Sequence, residues 1–365
     1  MRRPIPPRST VVVKIGSSSL TRGKPGLDAD ALRAVVDQVV ALRGLGHPTV
    51  LVTSAAVAAG LPALGLVGRP TDVPGLQAAA AVGQSRLMQA YTEAFDTHDV
   101  TVGQVLLTRN VLADRDQYLH ARQAFERLLA LGVVPIVNEN DTVAIEELRL
   151  GDNDRLAAMV GHLVGAGLLL LLTDTSGIFS ADPRTDAGAT LFGAVEHTDA
   201  VLDELTRGGS GPLGSGGIST KIAAARMAAW SGVPTVIAPA DAADVASLAV
   251  NGGDIGTWVE PRSQRLPARK LWIAFGQPSE GRIVVDAGAR TAIARGGSSL
   301  LPVGITSVEG DFRAGAAAEV AGPDGHLIAK GMSRFDAAEL RRRAGHRSEH
   351  GEVAIHRDDM IVLTV

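Results

Sequence analysis

The sequence contains no cysteine. Disulfide bonds, thiolate nucleophiles and thiolate-bound zinc are therefore excluded. Aromatic residues make up only 3% of the chain, so its core must be built from Ala, Val, Leu and Ile. Long apolar runs are also missing, and the longest, around Leu168, is far too short to cross a bilayer. These absences make a soluble cytoplasmic protein our default expectation.

Acidic and basic residues are nearly balanced, with 39 Asp and Glu against 35 Lys and Arg. The formal net charge of -4 over 365 residues gives no general reason to expect a nucleic-acid partner. With 45% hydrophobic residues the chain can bury a sizeable core, and its length suggests about two domains.

Short apolar runs alternate with stretches of helical spacing in the first part of the chain. Continuous apolar runs are typical of parallel strands that are buried on both faces. Strands that alternate with helices predict an α/β domain with a mostly parallel sheet. The predicted strands are 11–13, 49–52, 102–107, 133–137, 168–172 and 235–238, and the predicted helices are 28–43 (capped by Asp28), 115–131, 154–164 and 219–230.

The pattern changes near residue 260. The segment EPRSQRLPARK has two prolines and mixed charge, which is typical of a linker. Short alternating segments follow at 271–275, 281–286, 316–320, 326–331 and 352–356, with one helix at 336–344. We therefore predict a first domain over 1–260, a linker over 261–268 and a small, mostly β domain over 269–365.

Two dense polar clusters lie close together in the chain. NEND (138–141) directly follows an apolar run, and GDND (151–154) comes ten residues later. Asn and Asp are common in solvated turns, so a surface loop is one interpretation. Parallel sheets, however, bind ligands beyond the carboxyl ends of their strands, so a pocket for a small polar molecule is the other.

Two lysines accompany segments that suit phosphate. Lys14 ends a predicted strand and precedes Gly16 and three serines, although the order does not match a Walker A loop. A Gly-rich loop, 209–217, leads into a helix that Ser219 or Thr220 could cap, with Lys221 near its first turn. A flexible loop before an ordinary helix is the plainer interpretation.

Two further strand ends carry polar residues. Thr173 and Asp174 follow an apolar run and either turn the chain or contact a nucleotide. Ser54 follows another run and is either a helix N-cap or a substrate contact at a helix N-terminus.

Taken together, these elements resemble the glutamate 5-kinases of the amino-acid kinase superfamily. The segments VVVKIGSSSL, TSAAVAAG, AVGQSRL, GQVLLTR, VPIVNENDTVA, GDNDRLAA, LLLLTDTSGIFSADPR and SGGISTK stand in the order found in that family. The segments GSSLLPVGI, SRFDAAELRRRAGH and VAIHRDDMI resemble the PUA domain that follows the kinase domain in many members. The resemblance covers nearly the whole chain.

The resemblance implies a three-layer αβα kinase domain with a mostly parallel sheet, followed by a small, mostly β PUA domain. It implies ATP-dependent phosphorylation of the γ-carboxylate of L-glutamate, the first step of proline biosynthesis, with Mg²⁺ carried by the nucleotide and no protein metal site. Family members are typically homo-oligomers inhibited by proline, so a dimer or tetramer is expected. A transient complex with a glutamate-5-semialdehyde dehydrogenase is also expected, because acyl phosphates hydrolyse and cyclise readily.

The resemblance also implies roles for individual residues. Catalysis would depend on Lys14 and Lys221, and our hypothesis for Asp152 is that it holds both lysines in place. Asp141 would pair with the ammonium of glutamate, while Asn153 and Ser54 would satisfy its carboxylates. The nucleotide site would consist of Lys14, Thr173, Asp174, Ser215, Gly216, Gly217, Ile218, Ser219, Thr220 and Lys221.

Two positions depart from the family pattern. Ala55 follows Ser54 where the family usually has glycine, which matters if the backbone there takes a positive φ. Pro212 lies in a loop that is usually more glycine-rich and a residue shorter, so the shape of that loop is open.

Two rival interpretations remain. Another carboxylate or carbamate kinase of the superfamily, such as an acetylglutamate kinase or an aspartokinase, would share the lysine elements. An RNA-binding PUA protein with a degenerate kinase domain is the other, because Arg341, Arg342 and Arg343 form a basic triplet on a predicted helix. A solvated helix face explains that triplet more simply, and the small charge of the tail argues against RNA.

Overall fold

The computed structural model describes residues 2–112, 114–143, 153–196, 202, 217–263, 265–295, 297–347 and 352–363. They form two compact units, Met1–Arg265 and Leu266–Val365. None of the described helices is both long and apolar enough to cross a membrane.

Within the described residues, the first unit contains an eight-stranded sheet in the order β3-β4-β2-β1-β5-β7-β8-β6. The strands from β1 to β5 run parallel to their neighbours, and β7 is parallel to β5. β8 is antiparallel to β7 and parallel to β6. The strands are β1 Val11–Ile15, β2 Thr49–Val52, β3 Val102–Leu107, β4 Val134–Glu139, β5 Leu168–Thr173, β6 Ala194–Glu196, β7 Thr235–Pro239 and β8 Thr257–Glu260.

Helices cover both faces of this sheet. The helices of the first unit are α1 Ser17–Thr21, α2 Ala29–Gly44, α3 Ala56–Gly60, α4 Val73–Asp96, α5 Arg115–Ala130, α6 Asp154–Leu163, α7 Gly217–Trp230 and α8 Val245–Val250. Alternate side chains of β1, from Val11 to Ile15, share one core cluster with α2, α4 and α8. Lys14 has the opposite parity and meets α6 on the other face. The α/β fold with a mostly parallel sheet is thus confirmed.

The six strands predicted for this unit are all present, with ends that differ by at most two residues. The four predicted helices are present too. Asp28 caps α2 as expected, since its carboxylate accepts a hydrogen bond of 2.9 Å from the Ala31 N–H.

Helices α3 and α4 pack backbone against backbone. A Cβ atom at Gly83 would lie 1.8 Å from the carbonyl oxygen of Ala56, and one at Gly60 would lie 2.0 Å from that of Ala79. Only glycine fits at such an approach. The contact fixes the start of α3, which follows Ser54, against the long helix α4.

The second unit contains a five-stranded sheet of described residues in the order β10-β9-β11-β12-β13. Its elements are α9 Ala268–Leu271, a π-helix Trp272–Gly276, β9 Gly281–Val285, α10 Ala287–Ala294, β10 Ile305–Gly310, β11 Ala317–Ala321, β12 Leu327–Met332, α11 Ala337–Arg343 and β13 Met360–Val362. β9 and β11 are parallel, and the other pairs are antiparallel. Around this sheet Ile283, Val320, Leu340 and Ile355 share a separate apolar core.

Two strand predictions for this unit are wrong. Residues 271–275 belong to α9 and the π-helix, because a five-residue apolar run does not distinguish a buried helical turn from a strand. Residues 352–356 contribute only an isolated bridge from Ile355 to Leu300, and the final strand is Met360–Val362. The helix at 336–344 is confirmed, with Asp336 capping it through the Glu339 N–H at 2.7 Å.

Candidate active site

Four adjacent parallel strands of the larger sheet, β4, β2, β1 and β5, end at the same edge. The register places Lys14 opposite Val52, and Val52 opposite Val137. Ser54 therefore follows β2, next to the end of β1, and Asn138 lies near the end of β4 on the other side of β2. Polar groups from distant parts of the sequence converge where parallel sheets bind ligands.

Lys14 and Lys221 meet on one carboxylate. The Nζ atom of Lys14 lies 2.6 Å from Oδ1 of Asp154, and the Nζ atom of Lys221 lies 3.2 Å from Oδ2. All three side chains are buried. Two ammonium groups and one carboxylate carry a formal excess of positive charge, which suits an incoming phosphoryl group.

The first turn of α7 completes this cluster. Thr220 Oγ1 donates a hydrogen bond of 3.0 Å to Asp154 Oδ2, and Lys221 Nζ donates one of 3.2 Å to the Gly217 carbonyl. Ser219 and Thr220 lie inside the helix, so the expectation that one of them caps it is wrong. The Thr220 hydroxyl instead orients the carboxylate that joins the two lysines.

Asp154 makes the contacts that we expected of Asp152. Asp152 lies outside the described residues, so its own role stays a prediction. The signal for Asp154 was present in GDND, because an acidic first residue of a helix beside a strand-end lysine is a natural partner for it. Hydrophobic periodicity does not show whether Asp152 or Asp154 points inward, because the loop before the helix has no periodic pattern.

A chain of buried amides connects the ends of β2 and β4. Asn153 Nδ2 donates to the Thr53 carbonyl at 2.5 Å and to Asn138 Oδ1 at 2.6 Å. Asn138 Oδ1 also accepts the Glu139 N–H at 2.9 Å, and Asn138 Nδ2 donates to Gln84 Oε1 at 2.7 Å. Asn138 and Asn153 are 2% and 4% exposed, so these bonds form away from water.

This pattern bears on one of the expected substrate contacts. Both hydrogens of the Asn153 Nδ2 group are used, so the remaining capacity of Asn153 is its carbonyl oxygen. An oxygen accepts from an ammonium group and cannot donate to a carboxylate. The side chain of Asn153 therefore suits an ammonium group better than a carboxylate, and its role in substrate binding stays a prediction.

Ser54 does not cap a helix. The N-cap position of α3 is Ala55, with no side-chain capping bond. Ser54 is 7% exposed, and its Oγ atom is buried without a hydrogen-bond partner. A buried hydroxyl without a protein partner is costly, which makes Ser54 a candidate contact for a ligand.

Ala55 has a left-handed backbone, with φ 78° and ψ 12°. The backbone geometry that makes glycine favourable at this position is thus present, although the residue is alanine. Left-handed conformation costs a non-glycine residue roughly 1–2 kcal/mol. Strain at the wall of a pocket is a frequent property of functional sites.

A pocket opens beside these residues. Its lining comes from the start of α1, the start of α3, the end of β4 and the residue before α6. Asp141, which we expected to bind the ammonium of the substrate, is half-buried in this lining. The pocket is lined by Ser17, Ser54, Ala55, Ala56, Val57, Ala58, Arg69, Asn138, Asp141 and Asn153.

The expected nucleotide residues are only partly described. Thr173 directly follows Leu172, which pairs with Ile15 of β1, so Thr173 lies beside the strand of Lys14. Its hydroxyl donates to Asp174 Oδ1 at 3.1 Å, and Asp174 is exposed. Gly217, Ile218, Ser219 and Thr220 form the first turn of α7, next to Lys221. Ser215, Gly216 and Pro212 lie outside the described residues.

No cluster of three or more His, Asp or Glu side chains that could hold a metal ion occurs among the residues that the structure describes.

Comparison with known proteins assigns the chain to a class. The model of the Amino acid kinase family matches residues 9–239, and that of the PUA domain matches residues 281–351. A UMP kinase structure from Bacillus anthracis has a TM-score of 0.50 at 12% identity, covering 72% of this chain and 99% of that one. At this identity the likeness shows a shared fold alone.

Curated relatives define the family more closely. Glutamate 5-kinase of Geobacter sp. (strain M21) is 47% identical over 365 residues, 97% of each chain. Those of Frankia casuarinae and Myxococcus xanthus are 47% and 44% identical and cover 97% of this chain and 96% of their own. The chain belongs to the glutamate 5-kinases of the amino acid kinase family, with a C-terminal PUA domain.

Proposed function

We propose that the protein transfers the γ-phosphoryl group of ATP to the γ-carboxylate of L-glutamate, the first step of proline biosynthesis. The observation that carries the proposal is the pair of buried lysines joined by Asp154, next to a pocket with an unsatisfied Ser54 hydroxyl. The names of the full-length relatives support the same reaction.

The chemistry requires little beyond positioning and charge. A carboxylate is already ionised at neutral pH, so no general base is needed to create the nucleophile. A γ-carboxylate oxygen forms a bond to the γ-phosphorus as the bond from that phosphorus to the β,γ-bridging oxygen breaks. The products are γ-glutamyl phosphate and ADP. The barrier is the approach of an anion to a polyphosphate, and fixed positive charge lowers it.

Lys14 and Lys221 supply that fixed charge. Each ammonium is held on a different oxygen of Asp154, so both keep their place before any substrate arrives. Charges oriented in advance stabilise a transition state without reorganisation during the reaction. We assign both lysines to the transferring phosphoryl group and Asp154 to their orientation.

The nucleotide is assigned to the side of the site formed by β5 and α7. Thr173 ends β5 and Asp174 follows it, and Lys221 lies close to the N-terminus of α7. Helix N-termini favour phosphate groups. Mg²⁺ would arrive on the phosphates of ATP and offset part of their charge.

Glutamate is assigned to the pocket beside α3. Asp141 and the carbonyl oxygen of Asn153 are acceptors that suit the α-ammonium group, and the Ser54 hydroxyl is a donor that suits a carboxylate. N-Acetylglutamate offers one neutral amide N–H in place of three charged ammonium hydrogens, so it interacts less strongly with these acceptors. The pocket therefore favours glutamate over N-acetylglutamate.

Further properties follow from the similarity to glutamate 5-kinases. Feedback inhibition by proline, assembly into a homo-oligomer and a transient complex with a glutamate-5-semialdehyde dehydrogenase are all part of the proposal. A labile acyl phosphate gives the last of these a chemical reason.

The RNA-binding alternative has little support in the second unit. Arg341 donates to the carbonyls of Val308 and Gly310, and Arg343 pairs with Glu339. Two members of the basic triplet are thus committed to contacts within the unit.

The reaction is tested by ATP turnover with Mg²⁺ and hydroxylamine, which traps acyl phosphates. Glutamate, aspartate and N-acetylglutamate are compared, each with and without proline. The proposal predicts hydroxamate formation with glutamate alone. Equal or greater turnover with N-acetylglutamate, or none with glutamate, would overturn it.

A further inference from the structure

We propose that Gln84 of α4 is a positioning residue for the substrate pocket. It accepts the amide hydrogen of Asn138 and so holds the Asn138–Asn153 pair with the Asn153 carbonyl turned toward the bound amino acid. The inference rests on the proposed function, because it takes glutamate as the occupant of the pocket. Gln84 itself does not line that pocket.

Main-chain groups fix which end of the Asn138 and Asn153 side-chain amides is oxygen and which is nitrogen. The Thr53 carbonyl can only accept, so it requires the NH₂ group of Asn153. The Glu139 N–H can only donate, so it requires the carbonyl oxygen of Asn138. These two backbone groups leave no freedom to exchange oxygen and nitrogen in either side chain.

The same constraint creates a need that Gln84 meets. With its oxygen used, Asn138 turns its NH₂ group toward α4, in a site where a donor without a partner is costly. Gln84 Oε1 accepts that hydrogen at 2.7 Å. If this acceptor were lost, Asn138 would tend to move so that its NH₂ group reaches water. Asn153 would move with it, because its NH₂ group is bonded to the Asn138 oxygen.

The other end of the Gln84 amide supports this role as an acceptor. Gln84 Nε2 is buried with no hydrogen-bond partner. A buried donor left without a partner in this way destabilises the fold. Glutamine is therefore a poor choice for stability at position 84 and a good choice for an acceptor of the correct reach.

The helix that carries Gln84 cannot easily retreat. The preceding residue, Gly83, is in backbone contact with Ala56 at the start of α3. Seven residues after Gln84, on the same face of α4, the Tyr91 hydroxyl lies 2.8 Å from Thr53 Oγ1. One helix face thus braces the end of β2 through Tyr91 and the end of β4 through Gln84.

Two substitutions separate positioning from packing. Gln84→Met keeps the length of the side chain and removes the acceptor. Gln84→Glu keeps an acceptor and adds a charge. If Gln84 only packs, the methionine variant is the benign one and the glutamate variant, with a charge near the core, is the damaging one. If Gln84 positions Asn138, the order is reversed.

The test is steady-state kinetics of the full chain with hydroxylamine trapping. For Gln84→Met we expect the KM for glutamate to rise about tenfold, as the loss of one buried hydrogen bond allows, with kcat and the KM for ATP little changed. The preference for glutamate over glutarate, which lacks the ammonium, should fall by a similar factor. Gln84→Glu should keep the KM for glutamate within about threefold of the parent.

Gln89→Met is the matched control, because Gln89 lies on an exposed part of the same helix and donates to Glu93. It should leave all three constants unchanged.

An unchanged KM for glutamate in a folded Gln84→Met would overturn the inference. If Gln84→Met fails to fold, a Gln84→Glu protein with greatly raised KM would overturn it instead. Absence of hydroxamate from the parent protein would refute the proposed function, which is a separate result.

Discussion

Asp154 is the residue on which the proposed phosphoryl transfer depends most. It is fully buried and touches both lysines and Thr220, so its charge is shared by three donors. A buried charge that loses its partner is strongly destabilised. Removing the charge of Asp154 should therefore leave two ammonium groups facing each other at the site of transfer.

Asp154→Asn keeps the shape of the side chain and removes its charge. We expect kcat to fall by about a hundredfold or more, because two contacts to the transition state lose their orientation together. Asp116→Asn is the control, since Asp116 also lies in the first turn of a helix but is exposed. A kcat for Asp154→Asn within a few-fold of the parent would contradict the assigned role.

Ala55→Gly should stabilise the protein, although substitution by glycine inside a helix usually destabilises a protein. Glycine relieves the left-handed strain at φ 78° but loses more chain entropy, which leaves a net gain of about 1 kcal/mol. Ala58→Gly, inside α3, should instead lose about 1 kcal/mol. Denaturant unfolding of both variants checks the opposite signs. A loss of stability in Ala55→Gly would show that the backbone there is not strained.

The buried side chain of His162 should make the folded protein less stable at low pH. Burial, together with the charges of Arg265 and Arg122, lowers the pKa of His162 to about 4, from 6.5 in the unfolded chain. The folded state therefore binds fewer protons than the unfolded state between these values. This contribution to stability is complete above pH 6.5 and is lost as the pH falls toward 4. The free energy of unfolding lost in this way is at most about 3 kcal/mol.

Unfolding free energies measured from pH 7 to pH 4 test this. His162→Gln should remove part of the pH dependence, and His120→Gln, at an exposed position of α5, should retain it. An identical pH slope in the parent and in His162→Gln would contradict the account.

At the scale of elements, the contact of α3 with α4 sets the position of the pocket wall. The N-terminus of α3 follows Ser54 and Ala55, and α4 carries Gln84 and Tyr91. Because Gly60 and Gly83 let the two backbones touch, both helices act as one support for the ends of β2 and β4.

Gly83→Ala should disrupt that support. Its Cβ would meet main-chain atoms of α3, which cannot yield as a side chain can, so we expect a loss of about 1–3 kcal/mol or more and a raised KM for glutamate. Gly44→Ala, in α2 with open space around it, should be neutral or mildly stabilising. Thermal unfolding and kinetics of both variants measure this, and equal behaviour of the two would refute it.

Strands and helices of the first unit were predictable because their patterns are local. The run from Val11 to Val13 and the helix begun by Asp28 depend on neighbours a few residues away. The contact from Asn153 to Thr53 spans 100 residues and depends on where two loops bring the chain. Gln84 lies in the recognised segment AVGQSRL, but that segment does not indicate its partner, because the proposed role depends on an amide whose direction is set by the backbone of β4.

At the scale of the whole molecule, the change of sequence pattern lies close to the boundary between the two compact units, while the predicted domain limits stay predictions. The change near residue 260 corresponds to two compact units that separate after Arg265. The error at 271–275 shows the limit of pattern reading, since LWIAF suits a strand and a buried helix equally. The family motifs indicated Lys14, Lys221 and Ser54, and only the three-dimensional structure shows that Asp154 joins the two lysines.

The most direct measurement of the central claim follows oxygen from glutamate to phosphate. Glutamate labelled with ¹⁸O in its γ-carboxylate is incubated with ATP, Mg²⁺ and hydroxylamine, and the released phosphate is analysed by mass spectrometry. Attack by the γ-carboxylate predicts phosphate that carries a single ¹⁸O atom, because hydroxylamine displaces phosphate from the carbonyl carbon. Unlabelled phosphate, formed at the same rate, would contradict the account.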